Sequence, residues 1–326
     1  MKNNRRRMLR IMALGTGVMA TPSGLFAKEM PKQFFEWQGR AMGAETSLQL
    51  YSDNEKKAEE VITGTQAVIR KYEKLFSLYY PESQISKLNQ TGHLNNPDGE
   101  FLDLLKQSVQ FYQMTSGAFD ISIQPLWTLY KNYFGNTDGE DLDNEIKATL
   151  SKIGTDKINI QDNAVTFKEK GMGISFNGIA QGYITDKVTE YLKESGFDNV
   201  LVDIGEYRAG GPQNDGSPWR IGLLDPFDAV SIADVIEIKS GAVATSGGYG
   251  DQFDASGNYH HLFDPHTGKS SGLYASVTVT SLDATTADAL STAFSCMSPS
   301  DIKAVLMQFN GSRARLTYND GTVTVL

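Results

Sequence analysis

Cysteine is almost absent from this chain: Cys296 stands alone among 326 residues. Without a second thiol there is no internal disulfide, so neither the fold nor any redox chemistry rests on cystine. Cys296 falls in an apolar helical pattern and reads as a small buried residue. Long apolar runs are missing as well. The stretch from Ile11 to Phe26 is broken by Gly15, Gly17, Thr21, Pro22 and Gly24, and falls short of the roughly 20 apolar residues of a spanning helix. Cations are in the minority, 30 Lys and Arg against 39 Asp and Glu, for a net charge of −9. So acidic a chain is a poor partner for nucleic acid or anionic lipid; a phosphorylated ligand would need local amides or a metal to overcome the overall field. Repeats, low-complexity linkers and composition breaks are also absent.

What is present begins at the N-terminus. Asn4-Arg5-Arg6-Arg7-Met8-Leu9-Arg10 fits the twin-arginine export pattern, a mildly apolar stretch follows, and Leu25-Phe26-Ala27 offers a cleavage site after Ala27. Residues 1–27 are therefore expected to be a removed signal peptide, and residues 28–326 a periplasmic protein. Losing that segment takes away five cations and no acids, which moves the net charge from −9 to −14. The remaining length allows one large domain or two intimately packed subdomains.

Periodicity predicts the elements. Residues 28–36 read as a loose leader and Gly39 to Tyr51 as a strand. A long helix capped by Asp53 follows, with Ala58, Val61, Ile62, Val68, Ile69, Tyr72 and Phe76 on one face. Another helix is expected from Asp98 to Thr115. The acidic run 138–143 lacks calcium-loop spacing and reads as a solvated loop entering a helix. A hairpin over 157–168 turns at Asp162-Asn163, and Asn177-Gly178 opens a helix. Strands are expected at 199–204, 219–224, 233–238 and 276–281, helices at 286–297 and 301–309, and a terminal hairpin turning at Asn319-Asp320-Gly321. With no strict βαβ rhythm, the fold class is α+β, with mixed or antiparallel sheets and packed helices.

Three features carry chemistry. Residues 241–272 gather His260, His261 and His266 with aspartates and a glycine-rich turn. Adjacent residues of a strand face opposite sides, so at most one of His260 and His261 joins a given site. One imidazole over a phosphate pocket suits a general base better than a zinc ligand set, and exposed loop polarity is the plain alternative. The start of the helix at Asn177–Tyr183 offers free N–H groups to an anion, although glycines there also serve packing. Asp288 and Thr292, at i and i+4, put a carboxylate and a hydroxyl on one helical face. They could offer hard oxygens to Mg²⁺, or be a surface Asp beside a back-bonded Thr.

Nine ordered blocks run through the chain. They are Ala41-Met42-Gly43; Phe76–Tyr79 with Ser83, Ser86 and Asn89; Ser116–Asp120 with Pro125-Leu126; and Asn177–Tyr183 with Asp186. Then come Val202–Gly205, Trp219 to Pro226, Ala244–Gly247, His261 to Gly268 and Ala287–Thr292. In this order they resemble the ApbE family of FAD:protein FMN transferases. The resemblance implies a T-fold-like architecture and a reaction in which FAD is bound with Mg²⁺ on its pyrophosphate. A threonine or serine hydroxyl of a partner flavoprotein attacks the phosphorus on the riboflavin side, and AMP leaves.

It further implies Asp288, Thr292 and the carbonyl of Gly178 as magnesium ligands and His261 as the base. Met42, Tyr79, Ala118, Phe119, Asp120, Ser175, Gln181, Phe263 and Ser291 would line the FAD site. Many members carry an aspartate, two glycines and a lysine where this chain has Ser175, Asn177-Gly178 and Gln181, and a double glycine where it has Gly205-Glu206. The last variant, with a twin-arginine leader, resembles the branch that matures flavoproteins of respiratory and denitrification systems. Two rival readings are a Mg²⁺-dependent FAD pyrophosphatase giving FMN and AMP, and a non-catalytic periplasmic FAD-binding protein.

Overall fold

A computed structural model describes residues 32–135 and 141–326; the expected signal peptide and the first half of the acidic run lie outside the described residues. The chain opens with β1 (Gln33–Ala41) and β2 (Ala44–Ser52), followed by α1 (Glu55–Phe76), α2 (Gln84–Thr91), β3 (His93–Asn95) and α3 (Gly99–Met114). After a short 3₁₀ turn come α4 (Gln124–Gly135), α5 (Leu142–Leu150), β4 (Ile158–Gln161), β5 (Ala164–Phe167) and α6 (Ala180–Glu194). The second half adds β6 (Val200–Asp203), β7 (Tyr207–Ala209), β8 (Trp219–Asp225), β9 (Asp228–Ile238), β10 (Gly241–Gly247) and β11 (Ser276–Ser281). It ends with α7 (Ala284–Phe294), α8 (Pro299–Leu306), β12 (Arg313–Thr317) and β13 (Val323–Val325).

Eight strands form one antiparallel sheet in the order β1-β2-β6-β7-β10-β11-β12-β13. Period-two alternation divides its two faces. Leu48, Leu50, Val200, Val202, Ala242, Ala244, Val277 and Val279 point into the main core, together with residues of α1, α6 and α7. Leu201, Ala209 and Val243 point the other way, where Trp219, Ile221 and Leu223 of the β8-β9 ribbon cover them. A second small sheet, β3-β5-β4, carries the hairpin expected over 157–168. No helix among the described residues is long and apolar enough to cross a membrane.

Three expectations about the elements need correction. The single strand expected from Gly39 to Tyr51 is two, β1 and β2, broken at Met42-Gly43. Residues 33–36 belong to β1 rather than to a loose leader. β1 pairs with β2 residue for residue across the two-residue turn Met42-Gly43, whose φ values of 50° and 86° suit a tight hairpin. The cap of α1 is Asn54, which accepts from the Lys57 N–H at 3.1 Å, and not Asp53. The hydroxyl of Ser52 closes a turn onto Asn54 and shifts the helix start by one residue.

Candidate functional site

The site is built where α6 and α7 begin. Each helix caps the other. Asp186 of α6 accepts from the first-turn amides of α7, Ala284 at 2.8 Å and Thr285 at 2.9 Å, and from the Thr285 hydroxyl at 2.5 Å. The Arg208 guanidinium adds a fourth donor at 2.7 Å. In return Asp288 of α7 accepts from the Gly182 N–H, in the first turn of α6, at 2.9 Å. Such close crossing requires Gly182: a Cβ there would lie 2.3 Å from the Ala284 carbonyl oxygen. Gly178, just before α6, has the same role toward Thr292, whose hydroxyl would be 2.8 Å from an added Cβ. Neither side chain fits the plain alternative. Asp288 is 3% exposed rather than on the surface, and it is the Ser291 hydroxyl, not that of Thr292, that bonds back to the Asp288 carbonyl at 3.0 Å.

These groups open onto a cavity of about 210 Å³, lined by Gly178, Gln181, Glu206, Ser246, His261, Asp288 and Thr292 among others. Burial pushes the Asp288 carboxyl up to about 7, with the Gly182 N–H opposing and the nearby Asp186 charge adding to the shift. Burial, then the Asp288 charge, raises the Glu206 carboxyl as well. The donor set on this wall is one carboxylate, a hydroxyl and a main chain bare of Cβ, all hard oxygens that suit Mg²⁺. Among the described residues no group of three or more His, Cys, Asp or Glu side chains is placed to hold a metal ion.

His261 comes from a loop after β10. Its ring Nδ1 stands 3.2 Å from the Asp251 carbonyl oxygen, which also accepts the His261 N–H at 3.0 Å. A carbonyl only accepts, so Nδ1 carries the proton and Nε2 keeps its lone pair. Burial holds the imidazole below its ordinary 6.5, partly offset by Asp251. The Trp127 indole N–H, 3.3 Å from the Asp251 carboxylate, ties this loop to α4. Phe263 ties it a second time through the Tyr130 ring, 4.8 Å between centroids.

His260 turns away, so only one of the pair joins the site as expected, although the two residues lie in a loop and not in a strand. It is buried, with Nε2 2.9 Å from the Ser271 carbonyl oxygen and Nδ1 accepting from the Leu262 N–H at 3.3 Å. His266 is exposed and packs over Gly117 instead of lining the cavity.

A second cavity of about 250 Å³ shares Ser175, Asn177, Gln181, Gly250 and His261 with the first and extends to Met42 and Tyr79. Together they form one cleft. Met42 is set at its rim by the β1-β2 turn and by its N–H on Glu73, 3.0 Å. Tyr79 is 78% exposed beside Gly43, an open aromatic face.

Ala118, Phe119, Asp120, Ser175, Gly178, Gln181, His261, Phe263, Asp288 and Thr292 all line the inner part, so the structure brings these expected residues together. Ser291 is the exception: it is fully buried behind the wall and bonds the Ser246 hydroxyl at 2.8 Å. Asp120 lines the cleft with its carboxylate already engaged by Ser122 and Thr155, their hydroxyls at 2.6 and 2.7 Å, so it shapes the loop. Phe176, fully buried among Phe76 and Phe101, anchors the Ser175–Gly178 segment.

Sequence reasoning did not single out Glu206, Ser246, Tyr249 or Trp127 as site residues. Ser246 lies inside a quoted block and Glu206 directly after one, where it replaces a glycine, and the signal that could have found Glu206 is a carboxylate following a glycine at a strand end.

The ApbE family model matches residues 42–316. A FAD:protein FMN transferase of Vibrio cholerae is 29% identical over 281 residues, covering 82% of this chain and 83% of that protein. The ApbE protein of Thermotoga maritima superimposes with a TM-score of 0.79 at 30% identity, over 90% of this chain and 96% of its own. The flavin transferase ApbE of Vibrio cholerae does so with a TM-score of 0.76 at 25% identity, over 91% and 97%. With fold, ordered blocks and these likenesses agreeing over most of its length, the chain belongs to the ApbE family.

Proposed function

We propose that this protein transfers the FMN moiety of FAD to a threonine or serine hydroxyl of a partner flavoprotein and releases AMP, with Mg²⁺ as the required cation. Membership of the family, and relatives named FAD:protein FMN transferase, support the reaction class. The observation that carries the mechanism is the pairing across one cleft of His261, with a free Nε2, and the oxygen donors Asp288, Thr292 and Gly178.

His261 Nε2 takes the proton of the acceptor hydroxyl. The acceptor oxygen bonds the phosphorus on the riboflavin side as the bond from that phosphorus to the bridging oxygen breaks, and AMP departs with the bridging oxygen. Bound Mg²⁺ supplies neutralisation of pyrophosphate and leaving-group charge. Asp288, Thr292 and the Gly178 carbonyl would hold it; the amides of Asn177, Ile179, Ala180 and Gly182 at the start of α6 are already engaged within the protein, so the helix start holds the turn rather than offering the free N–H groups expected there. Tyr79 offers its ring to the flavin, Met42 and Phe263 wall the cleft, and Gln181 and Ser175 supply neutral hydrogen bonds. Ser291 acts from behind, by holding Ser246. The twin-arginine pattern in residues 4–10 supports export to the periplasm.

The test is chromatography of AMP and FMN after mixing the mature protein with FAD and Mg²⁺, with and without a periplasmic acceptor domain, alongside in-gel flavin fluorescence. A fluorescent acceptor band with matching AMP is expected. AMP and free FMN regardless of acceptor would make the protein a pyrophosphatase, and bound but intact FAD a carrier.

A further inference from the structure

Glu206 and Asp288 reach one cavity from different elements, the turn between β6 and β7 and the first half of α7. Both are more than nine-tenths withdrawn from solvent, at 9% and 3% exposure. Each has a single hydrogen-bond donor among the described residues: the Thr245 N–H for Glu206, at 3.3 Å, and the Gly182 N–H for Asp288. The nearest cation in the sequence, Arg208, is committed to Asp186 at 2.7 Å. Two dry carboxylates with one donor apiece are costly as anions unless a cation joins them. Thr292 and the Cβ-free Gly178 adjoin the same space, so a cation there meets oxygens of four residues from three chain segments.

We propose that Glu206 is a second carboxylate of the cation site formed by Asp288, Thr292 and Gly178, and that it lets the protein bind its divalent cation before FAD arrives. The proposal rests on the Mg²⁺ reading given above. A Mg²⁺ site with a single carboxylate leans on substrate phosphates for its remaining charge. Two carboxylates match the dication without them, so the site no longer waits for the pyrophosphate.

The experiment is Mn²⁺ titration of the mature protein freed of flavin, read by electron paramagnetic resonance of unbound Mn²⁺, for wild type, Glu206→Gln, Glu206→Asp and Asp288→Asn. Circular dichroism confirms that each variant is folded. Wild type is expected to bind one Mn²⁺. Glu206→Gln, which keeps an acceptor for Thr245, is expected to weaken binding tenfold or more, and Glu206→Asp to retain most of it. Unchanged binding in Glu206→Gln alongside a loss in Asp288→Asn would overturn the role of Glu206 and leave the Mg²⁺ reading intact. An equal loss in Glu206→Asp would assign the effect to packing and overturn it too. Wild type that binds Mn²⁺ only with FAD present would overturn the order of binding. Binding that neither Gln nor Asn substitution alters would remove the Mg²⁺ reading itself.

Discussion

The first turns of α6 and α7 are capped by each other's aspartates, yet the two ends are furnished very differently. Asp186, at the start of α7, has two amides, a hydroxyl and a guanidinium around it. Burial still raises its carboxyl, but the Arg208 charge and the Thr285 hydroxyl pull it back. Asp288, at the start of α6, has one amide and no cation among the described residues. The lesson is that a buried carboxylate with its donors complete belongs to the fold, whereas one left short of donors is reserved for something that arrives later. Adjacent in space and alike in position, the two residues separate stability from chemistry.

That separation can be broken by exchange of roles. Replacing Asp186 by Ala strands Arg208 and the α7 amides and is expected to cost about 3–5 kcal/mol, measured by urea unfolding, with turnover per folded molecule retained. Replacing Asp288 by Ala is expected to reduce Mg²⁺-dependent AMP release by about 10³-fold, or roughly 4 kcal/mol in the barrier, with little loss of folding stability. Equal stability losses in both would erase the distinction.

His261 sharpens it from the other wall. His261→Asn should slow transfer about 10²-fold or more while leaving FAD affinity, read by fluorescence titration, nearly unchanged. Because burial lowers the imidazole below 6.5, it is neutral at pH 7. At saturating Mg²⁺ the wild-type rate should be flat above that depressed value and fall with unit slope below it, a limb the Asn variant loses. The smallest effect is expected at Gly182→Ala. A Cβ 2.3 Å from the Ala284 carbonyl oxygen must push the helices apart, costing about 1–3 kcal/mol and weakening Mg²⁺ binding together with stability.

Much of this was legible in the sequence. The helix expected over 98–115 and found at 99–114, the hairpin at 158–167 and the strand at 276–281 follow from periodicity and turn chemistry alone. The i, i+4 spacing of Asp288 and Thr292 places both on the cavity, and only one of His260 and His261 joins it, as expected, though from a loop and not from a strand. What stayed hidden depends on contacts far apart in the chain. β10 reads as glycine-rich and polar, yet it is an interior strand of the large sheet because β7 and β11 flank it. Ser291 lies beside Thr292 in sequence but faces backward, a matter of helix rotation that motif order does not encode. Glu206 is isolated in sequence and gains meaning only from its proximity to Asp288.

The reciprocal caps join residues 98 and 99 positions apart on one side and 106 on the other. Contacts of such separation form late, since loop closure must precede them. A chain that stops short of α7 therefore has no cleft. Whatever this cleft takes must wait until the two distant helix starts have met.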